Sequence, residues 1–378
     1  MKTRHAKTVI LGAGAMGLAT AYHLACRGEP FTLVEQFAIG HDRGSSHGAA
    51  RIARHSYADP RYARLMPAAF AAWKALEADA GIPLFIRTGG VSLSPAGVDY
   101  VPRVAASLES IGCSHRLMSG RELRVAMPAF AGVPDDSTAV FEPDAGMLLA
   151  ERALSTMCDL AHTLGGPRTT MIENAPVRRI DMTADRPTLV LDGETITADR
   201  LIVAAGPWMG TLFPEFAARL RPERQQVLYL SPVDASPFAI GRFPVFISVG
   251  AGPRDFYYGM PGLFGGGIKI ARHGGDPIDP DDDGRDIGEL YREEIRTFLR
   301  GCLPALADAP ITRTELCKYT VAPGEEFMLG PHPGRPDVIV ASPCSGHGFK
   351  FSCMLGGVLA DLATRGGTDT DIAGWEPR

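Results

Sequence analysis

The apolar positions near the start of the chain change from a continuous run to helical spacing and back again. Residues 8–11 predict a short buried strand, residues 15–27 predict a helix, and residues 31–34 predict a second strand. Strand, helix and strand in this order form a βαβ unit, in which the two strands are parallel.

Beyond this unit, helical and strand-like stretches alternate. Residues 62–80 predict a helix with one buried face, with Pro67 near a kink or near its start. From residue 86 onward, short strand-like pieces are separated by Gly and Pro, and helical spacing returns at residues 150–164. The continuous apolar run at residues 201–205 is typical of a central parallel strand, so we expect the chain to re-enter its first domain there.

Strands are also predicted at residues 177–181 and through much of residues 220–320, with a helix at residues 289–299. A strand at residues 338–341 and a helix at residues 349–364 follow. We therefore predict an α/β fold, in which a doubly wound, Rossmann-like nucleotide-binding domain is interleaved with a substrate domain built on a mixed or antiparallel sheet. The nucleotide-binding domain is expected to contain residues 1–85, 150–219 and 322–378, and the substrate domain residues 86–149 and 220–321.

The charge distribution narrows the class of partner. The 378 residues include 38 basic and 43 acidic side chains spread along the chain, which gives a formal charge of -5. We expect no basic face for nucleic acid or for an anionic membrane surface. A small molecule is therefore the expected partner.

The seven cysteines stand far apart without a CxxC pair, which is typical of a reducing compartment rather than of a disulfide framework. They also offer no cluster of metal ligands, so no metal site is predicted. No uninterrupted apolar run reaches the ~18 residues that a membrane span needs. We expect a cytoplasmic protein.

The first βαβ unit carries a dinucleotide motif. Gly12, Gly14 and Gly17 form GxGxxG between the strand and the helix, and Glu35 ends the second strand. The glycines allow a tight turn and close approach of a pyrophosphate, while the acid accepts hydrogen bonds from ribose hydroxyls. The motif predicts a ligand with an ADP moiety. Glu35 disfavours NADP, whose 2′-phosphate it would repel, but it does not separate NAD from FAD.

A basic segment follows this unit. Arg43, His47, Arg51, Arg54 and His55 occur in a stretch without acidic residues. Such a block is suited to a phosphate, a flavin or an anionic substrate, and it is equally typical of a solvated basic loop.

Four segments, in this order along the chain, resemble the monomeric sarcosine oxidase and N-methyltryptophan oxidase family of flavoproteins. They are GSSHGAARIARHSY, YYGMPGLFGGGIK, ELCKYT and SGHGFKFS. The resemblance covers essentially the whole chain. It implies a monomeric enzyme with FAD attached covalently to a cysteine, which oxidises an N-methyl or other secondary amino acid and is reoxidised by O2 to give H2O2.

The resemblance also implies roles for individual residues. Cys317 falls on the flavin-attachment cysteine, and Lys269 on the lysine that activates O2. The implied catalytic residues are Lys269, Arg51, His47, Tyr258 and His273. The implied substrate-binding residues are Arg54 and Lys350, which would bind a carboxylate, with Tyr258, Tyr319 and Ile247 in the amine pocket. The cofactor-binding residues expected from the motif and the resemblance are Gly12, Gly14, Ala15, Met16, Gly17, Glu35, Gln36, Ser45, Arg51, Val177, Ala205, Gly206, Cys317, Gly346, His347, Gly348 and Lys350.

The chain departs from the family where the common HGDTR motif reads HGAAR. Ala49 and Ala50 remove an acid and a hydroxyl beside the flavin. Alternative activities are therefore a flavin oxidase or dehydrogenase of glycine, a D-amino acid or a cyclic imino acid. An NAD-dependent dehydrogenase and a flavin-binding protein without catalysis are the alternatives from other classes.

One segment imitates a calcium-binding loop. Asp279, Asp281, Asp283 and Gly284 match its DxDxDG start, but Leu290 stands where the loop needs glutamate. A solvated acidic loop is the simpler interpretation.

Overall fold

The computed structural model describes residues 2–378, and 19 strands and nine α-helices form in them. The strands are β1 Lys2–Leu11, β2 Phe31–Val34, β3 Ala50–Ala53, β4 Phe85–Arg87, β5 Gly90–Ser94, β6 Arg116–Ser119, β7 Thr138–Glu142, β8 Gly146–Leu149, β9 Thr169–Ile172, β10 Arg179–Asp181, β11 Thr188–Val190, β12 Glu194–Val203, β13 Arg221–Leu230, β14 Val245–Val249, β15 Phe256–Met260, β16 Ile268–Arg272, β17 Ile311–Val321, β18 Met328–His332 and β19 Arg335–Ser342. The helices are α1 Ala15–Cys26, α2 Pro60–Ala80, α3 Tyr100–Ser110, α4 Gly120–Ala126, α5 Ala150–Gly165, α6 Met209–Leu212, α7 Glu289–Cys302, α8 Pro304–Ala307 and α9 Ser352–Arg365.

The first eight-stranded sheet has β1 at its centre. Strands β10, β11, β12, β1, β2 and β9 follow one another across it, and β19, itself paired with β18, also pairs with β12. The pairs that β1 makes with β2 and β12 are parallel, as is the pair of β12 with β19. The doubly wound parallel sheet predicted from the sequence is therefore confirmed, and its strands come from three separate parts of the chain.

The second eight-stranded sheet has the order β17, β13, β16, β15, β14, β5, β7, β6. The pair β14–β5 is parallel and the other pairs are antiparallel, which confirms a mixed sheet. A small third sheet contains the strands β3, β8 and β4 in this order. The domain boundaries in the sequence remain a prediction.

Close helix packing holds the nucleotide side together. α1 packs on α9 and α5, and a Cβ on Gly356 of α9 would lie 2.6 Å from the Cβ of Ala19 of α1. α2 begins at Pro60 because the Asp59 side chain accepts a hydrogen bond from the Arg61 N–H at 2.8 Å. Pro67 lies inside this helix rather than at its start.

Several predicted boundaries shift by a few residues. Residues 177–178 lie outside strand β10, and the strand predicted at 201–205 is the end of the longer β12. The last predicted helix opens with a 3-10 turn, Phe349–Phe351, before α9. In residues 2–378 no helix is both long and apolar enough to cross a membrane.

Candidate active site

The glycine motif forms a tight turn between β1 and α1. Gly12 has φ +101°, and a Cβ there would lie 2.4 Å from the carbonyl oxygen of Ala204, so a side chain cannot be accommodated. A Cβ on Gly17 would lie 1.8 Å from the oxygen of Gly12. Gly14 precedes α1 without a side-chain cap, and the first turn contains no acidic residue. This helix N-terminus is suited to a phosphate.

Glu35 is buried at the end of β2. Its carboxylate accepts hydrogen bonds from the N–H groups of Ala13 at 2.7 Å and Phe37 at 3.0 Å. A cavity of about 190 Å³ adjoins it and the glycine turn. The predicted cofactor-binding residues that line this cavity are Gly12, Gly14, Ala15, Met16, Glu35, Gln36, Ser45, Val177, Ala205 and Gly206.

A second cavity, of about 410 Å³, shares Ser45, Cys344 and Phe349 with the first. The two cavities therefore meet, as one extended cofactor would require. The predicted residues that line the second cavity are Arg51, Arg54, Ile247, Tyr258, Lys269, His273, Cys317, Tyr319, Gly346, His347, Gly348 and Lys350. His47 is buried behind its wall, with Nε2 3.0 Å from the oxygen of Leu316.

Arg51 and Lys269 bring two cations to one wall of the second cavity. Arg51 donates hydrogen bonds through Nη2 to the oxygens of Ser45 at 2.7 Å and His47 at 2.6 Å. Lys269 is buried on β16, and its Nζ donates to the oxygen of Ala50 at 3.3 Å. Burial, followed by the charge of Arg51, lowers the pKa of Lys269 to about 8.

Cys317 lies beside these cations on β17. Burial alone would raise the pKa of its thiol, but hydrogen bonding with His47 and the charges of His47, Arg51 and Lys269 lower it to about 7. Arg51 Nη2 lies 3.9 Å from the sulfur. The neighbouring cations thus favour the thiolate form of Cys317.

Arg54 and Lys350 lie together at another part of the wall. Both are buried, and the guanidinium carbon of Arg54 lies 4.5 Å from the ring centre of Tyr57. Lys350 Nζ donates to the Tyr57 hydroxyl at 2.9 Å and to the His347 oxygen at 3.2 Å. Burial, then the charge of Arg54, holds the pKa of Lys350 well below its usual value.

Neither cation has an acidic partner among residues 2–378, and Arg54 Nε and Nη1 are buried there without a hydrogen-bond partner. A buried, unpaired cation is costly. This pair is therefore suited to an anion that enters the cavity.

Aromatic side chains enclose the space between the two groups of cations. Tyr258 and Tyr319 both line this cavity, and burial raises the pKa of Tyr258 to about 12. His273 stacks on Phe256 with ring centres 4.5 Å apart. Gly346 has φ +75°, and a Cβ there would lie 2.5 Å from both His273 and Tyr319. Only glycine allows this backbone to approach them.

Sequence reasoning missed two residues that matter here, Glu315 and Tyr229. The Tyr229 hydroxyl donates to Glu315 Oε2 at 2.8 Å, beside Arg51 and Lys269. Glu315 precedes Cys317 by two positions on β17. Because side chains alternate between the two faces of a strand, the sequence could have placed Glu315 on the same face as Cys317. Tyr229 lies far away in the sequence and carried no such signal.

The sequence indicated no cluster of metal ligands, but the fold brings one group of such side chains together, and the absence of a metal site stays a prediction. His55, Cys113 and Glu142 place three ligand atoms within 4.8 Å of one another. The residues are far apart in the sequence, which hides the cluster. Its two closest atoms, His55 Nδ1 and Glu142 Oε1, are 2.7 Å apart and already hydrogen-bonded.

The acidic segment that imitates a calcium loop contacts the nucleotide side. Asp281 accepts a hydrogen bond from Trp208 Nε1 at 2.7 Å, and Asp283 forms an ion pair with Arg43 at 2.9 Å. Trp208 lines the first cavity. The acidic side chains of this loop are exposed to solvent, and these two contacts attach the loop to the rest of the protein.

The glycine turn, the two connected cavities and the Cys317 thiol at the second cavity together indicate a dinucleotide-dependent oxidoreductase of the flavoprotein class. The sequence pattern of the family described as FAD dependent oxidoreductase (DAO) matches residues 7–362, and the chain belongs to this family.

Individual relatives agree with this assignment. The chain is 34% identical to monomeric sarcosine oxidase from Bacillus sp. (strain NS-129) over 379 residues, which cover 98% of this chain and 95% of that protein. It is 31% identical to N-methyl-L-tryptophan oxidase from Salmonella arizonae over 360 residues, which cover 94% of each. The structure of NikD, an unusual amino acid oxidase essential for nikkomycin biosynthesis, superposes with a TM-score of 0.84 at 22% identity, over 99% of this chain and 98% of that one. The predicted family and the predicted dependence on FAD are confirmed.

Proposed function

We propose that the enzyme oxidises the C–N bond of a small secondary amino acid, such as an N-methyl amino acid, with covalently bound FAD and with O2 as the electron acceptor. One observation carries the proposal: Arg54 and Lys350 form a buried cation pair without an acidic partner in the described chain, in the cavity that also contains Cys317 and Lys269. The names of the sarcosine and N-methyl-L-tryptophan oxidase relatives support the substrate class.

The residues present fit FAD. The glycine turn leaves no room for a Cβ at Gly12, and the Glu35 carboxylate adjoins the cavity for the ADP part. Cys317, with its lowered thiol pKa, would hold the flavin as a thioether to its 8α-methyl group. Bound FAD supplies a two-electron acceptor for amine oxidation.

The chain's own residues bind and orient the substrate. Arg54 provides a forked contact for the carboxylate and Lys350 a point charge. Tyr258, Tyr319 and His273 enclose the amine and exclude water, with the buried Ile247 beside them. Holding the substrate in one orientation supplies a large part of the rate enhancement.

The overall reaction removes two electrons and two protons from the amine and gives an imine. Water hydrolyses the imine to an amine and an aldehyde or keto acid, while O2 is reduced to H2O2. Lys269 provides positive charge for the reaction with O2. We further propose that the enzyme acts as a monomer and that it is located in the cytoplasm. Its seven unpaired cysteines support the location, because thiols stay reduced in that compartment.

The test is H2O2 release over a panel of sarcosine, other N-methyl amino acids, glycine, D-amino acids and proline. We expect the highest kcat/KM with an N-methyl amino acid. A preference for glycine, a D-amino acid or proline would replace the proposed substrate class. If an amine bleaches the flavin but no H2O2 forms under air, the electron acceptor is a molecule other than O2. If no amine bleaches the flavin, the proposed activity is refuted.

A further inference from the structure

Glu315 is an acidic residue inside the group of cations at the second cavity. It lies on β17 two positions before Cys317, so both side chains leave the same face of the strand. Its side chain is 13% exposed and accepts a hydrogen bond from the Tyr229 hydroxyl at 2.8 Å. Arg313 Nη2 lies 3.2 Å from its other oxygen. The carboxylate is thus fixed on both sides.

The carboxylate adjoins both Arg51 and Lys269. A Cβ built on Gly48 would lie 2.9 Å from Glu315 Oε2 and 3.5 Å from Arg51 Nη1, so these charged groups border the same small space. Lys269 is paired with Tyr229 across β16 and β13, and its Nζ lies 6.0 Å from the centre of the Tyr229 ring. Tyr229 therefore lies between the two residues: its hydroxyl contacts Glu315, and its ring lies near the Lys269 ammonium group.

Few acids are available to balance these cations. The titratable and charged groups around Lys269 are Arg51 on β3, Tyr229 on β13, Tyr258 on β15, Arg313, Glu315 and Cys317 on β17, and His47 in the segment before β3. The charges of Arg51 and Arg313 lower the pKa of Lys269, and those of Cys317 and Glu315 raise it. A Cys317 sulfur bonded to a flavin is a thioether and has no charge. Of the two anionic groups that raise the pKa of Lys269, only Glu315 then keeps its charge.

We propose that Glu315 is the counter-ion of this cation group in the flavin-loaded enzyme, where it keeps Lys269 protonated and ready for the reaction with O2. The inference rests on the proposed function, because it uses FAD at Cys317. Glu315 is a positioning residue, since it acts through Lys269. With Tyr229 it also supplies an acid and a hydroxyl to the part of the site where Ala49 and Ala50 have removed them from the preceding segment.

The low lysine content allows a direct test. The chain has only six lysines, so the ε-carbons of uniformly 13C-lysine-labelled, flavin-loaded enzyme give few NMR signals, and Lys269→Met assigns one of them. The titration of this signal reports protonation without substrate or O2. We expect Glu315→Gln to weaken proton binding to Lys269 about tenfold. Tyr229→Phe, which keeps the carboxylate, should have a smaller effect.

Glu194→Gln is the matched control, because Glu194 is also a strand glutamate paired with an arginine, Arg4, at 3.0 Å but lies in the other sheet. It should leave the titration of Lys269 unchanged. If Glu315→Gln does not fold, Glu315→Asp, which keeps the charge but places it on a shorter side chain, should weaken proton binding to Lys269 by a smaller amount. An unchanged titration in the folded variant would overturn the proposal.

This result is independent of the amine panel. A failure of every amine to release H2O2 would refute the proposed function and leave the NMR titration interpretable. A normal amine oxidase with an unchanged Lys269 titration in Glu315→Gln would refute only the role of Glu315.

Discussion

The carboxylate of Glu142 accepts hydrogen bonds from His55 at two points, the ring Nδ1 at 2.7 Å and the backbone N–H at 2.8 Å. The N–H of Ser56 adds a third at 3.0 Å. Glu142 is completely buried on β7. Glu142, on a strand of the second sheet, thus fixes the backbone directly after Arg54.

Replacing Glu142 should therefore affect both stability and substrate binding. Glu142→Ala leaves these donors without their acceptor, which should lower the free energy of unfolding by about 1–3 kcal/mol and raise KM for carboxylate substrates more than it lowers kcat. Urea denaturation and steady-state kinetics measure the two effects. Glu109→Ala, at a carboxylate that is 70% exposed near His115, is the control and should change stability by less than about 0.5 kcal/mol. Equal effects of the two substitutions would contradict this role.

Arg54→Ala should distinguish charged from neutral ligands. A charge-assisted contact in this buried site is worth about 1.5–3 kcal/mol, so binding of an N-methyl amino acid should weaken roughly ten- to hundredfold. Its ester or amide should be affected much less, because it has no carboxylate. Arg103→Ala, at an exposed arginine that lines the same cavity, is the control. Equal losses for charged and neutral analogues would exclude the assignment of Arg54.

Cys317→Ser should release the flavin on acid precipitation, whereas the wild-type protein should keep its yellow colour in the pellet. Attachment of FAD to the apoprotein should speed up as the pH rises through about 7, because the thiolate forms above the thiol pKa. Cys344→Ser, at the cysteine where the two cavities meet, should retain the flavin. A colourless wild-type pellet would rule out a covalent bond.

Lys269→Met should slow the reaction of the reduced enzyme with O2 roughly a hundredfold and change flavin reduction by substrate less. In the wild-type enzyme this reaction should slow as the pH rises, because burial lowers the pKa of Lys269 and the lysine loses its proton at a lower pH than a free lysine does, and the variant should not show this dependence. Stopped-flow measurements separate the two half-reactions. Lys318→Met is the control: Lys318 is also buried, but its Nζ donates to the oxygen of Pro280 at 2.6 Å. A purely structural role of Lys269 would instead affect both half-reactions equally, through loss of active enzyme.

The features that depend on local pattern were predictable from the sequence. The βαβ unit and the apolar end of β12 were found because burial on both faces leaves a continuous apolar run. The pattern did not predict the start of β1 at Lys2, because its first half is exposed and is held by pairing with β12. Pairing between distant strands leaves no mark in the hydrophobic pattern.

In the site, too, residues with a local sequence signal were predictable, and residues brought together only by the fold were not. Lys269 stood out because a lysine within an apolar strand needs a reason, whereas Glu142 meets His55 only because the fold joins residues 87 positions apart. The match to known motifs supplied the remaining cavity residues, since four short segments from both domains agreed at once. The metal-ligand cluster and Tyr229 were missed for lack of any local signal.

The strands of the first sheet lie far apart along the chain, which determines how long the sheet stays incomplete during synthesis. β1 emerges from the ribosome first, but β19, which completes the parallel core through β12, begins only at Arg335. At about 5–20 residues per second, the glycine turn waits roughly 15–65 s for the final strand and for the helix that packs on α1. The nascent chain thus exposes an incomplete sheet for most of its synthesis, and chaperone binding in that interval is the expected consequence. We therefore expect cofactor capture only after β19 and α9 have formed.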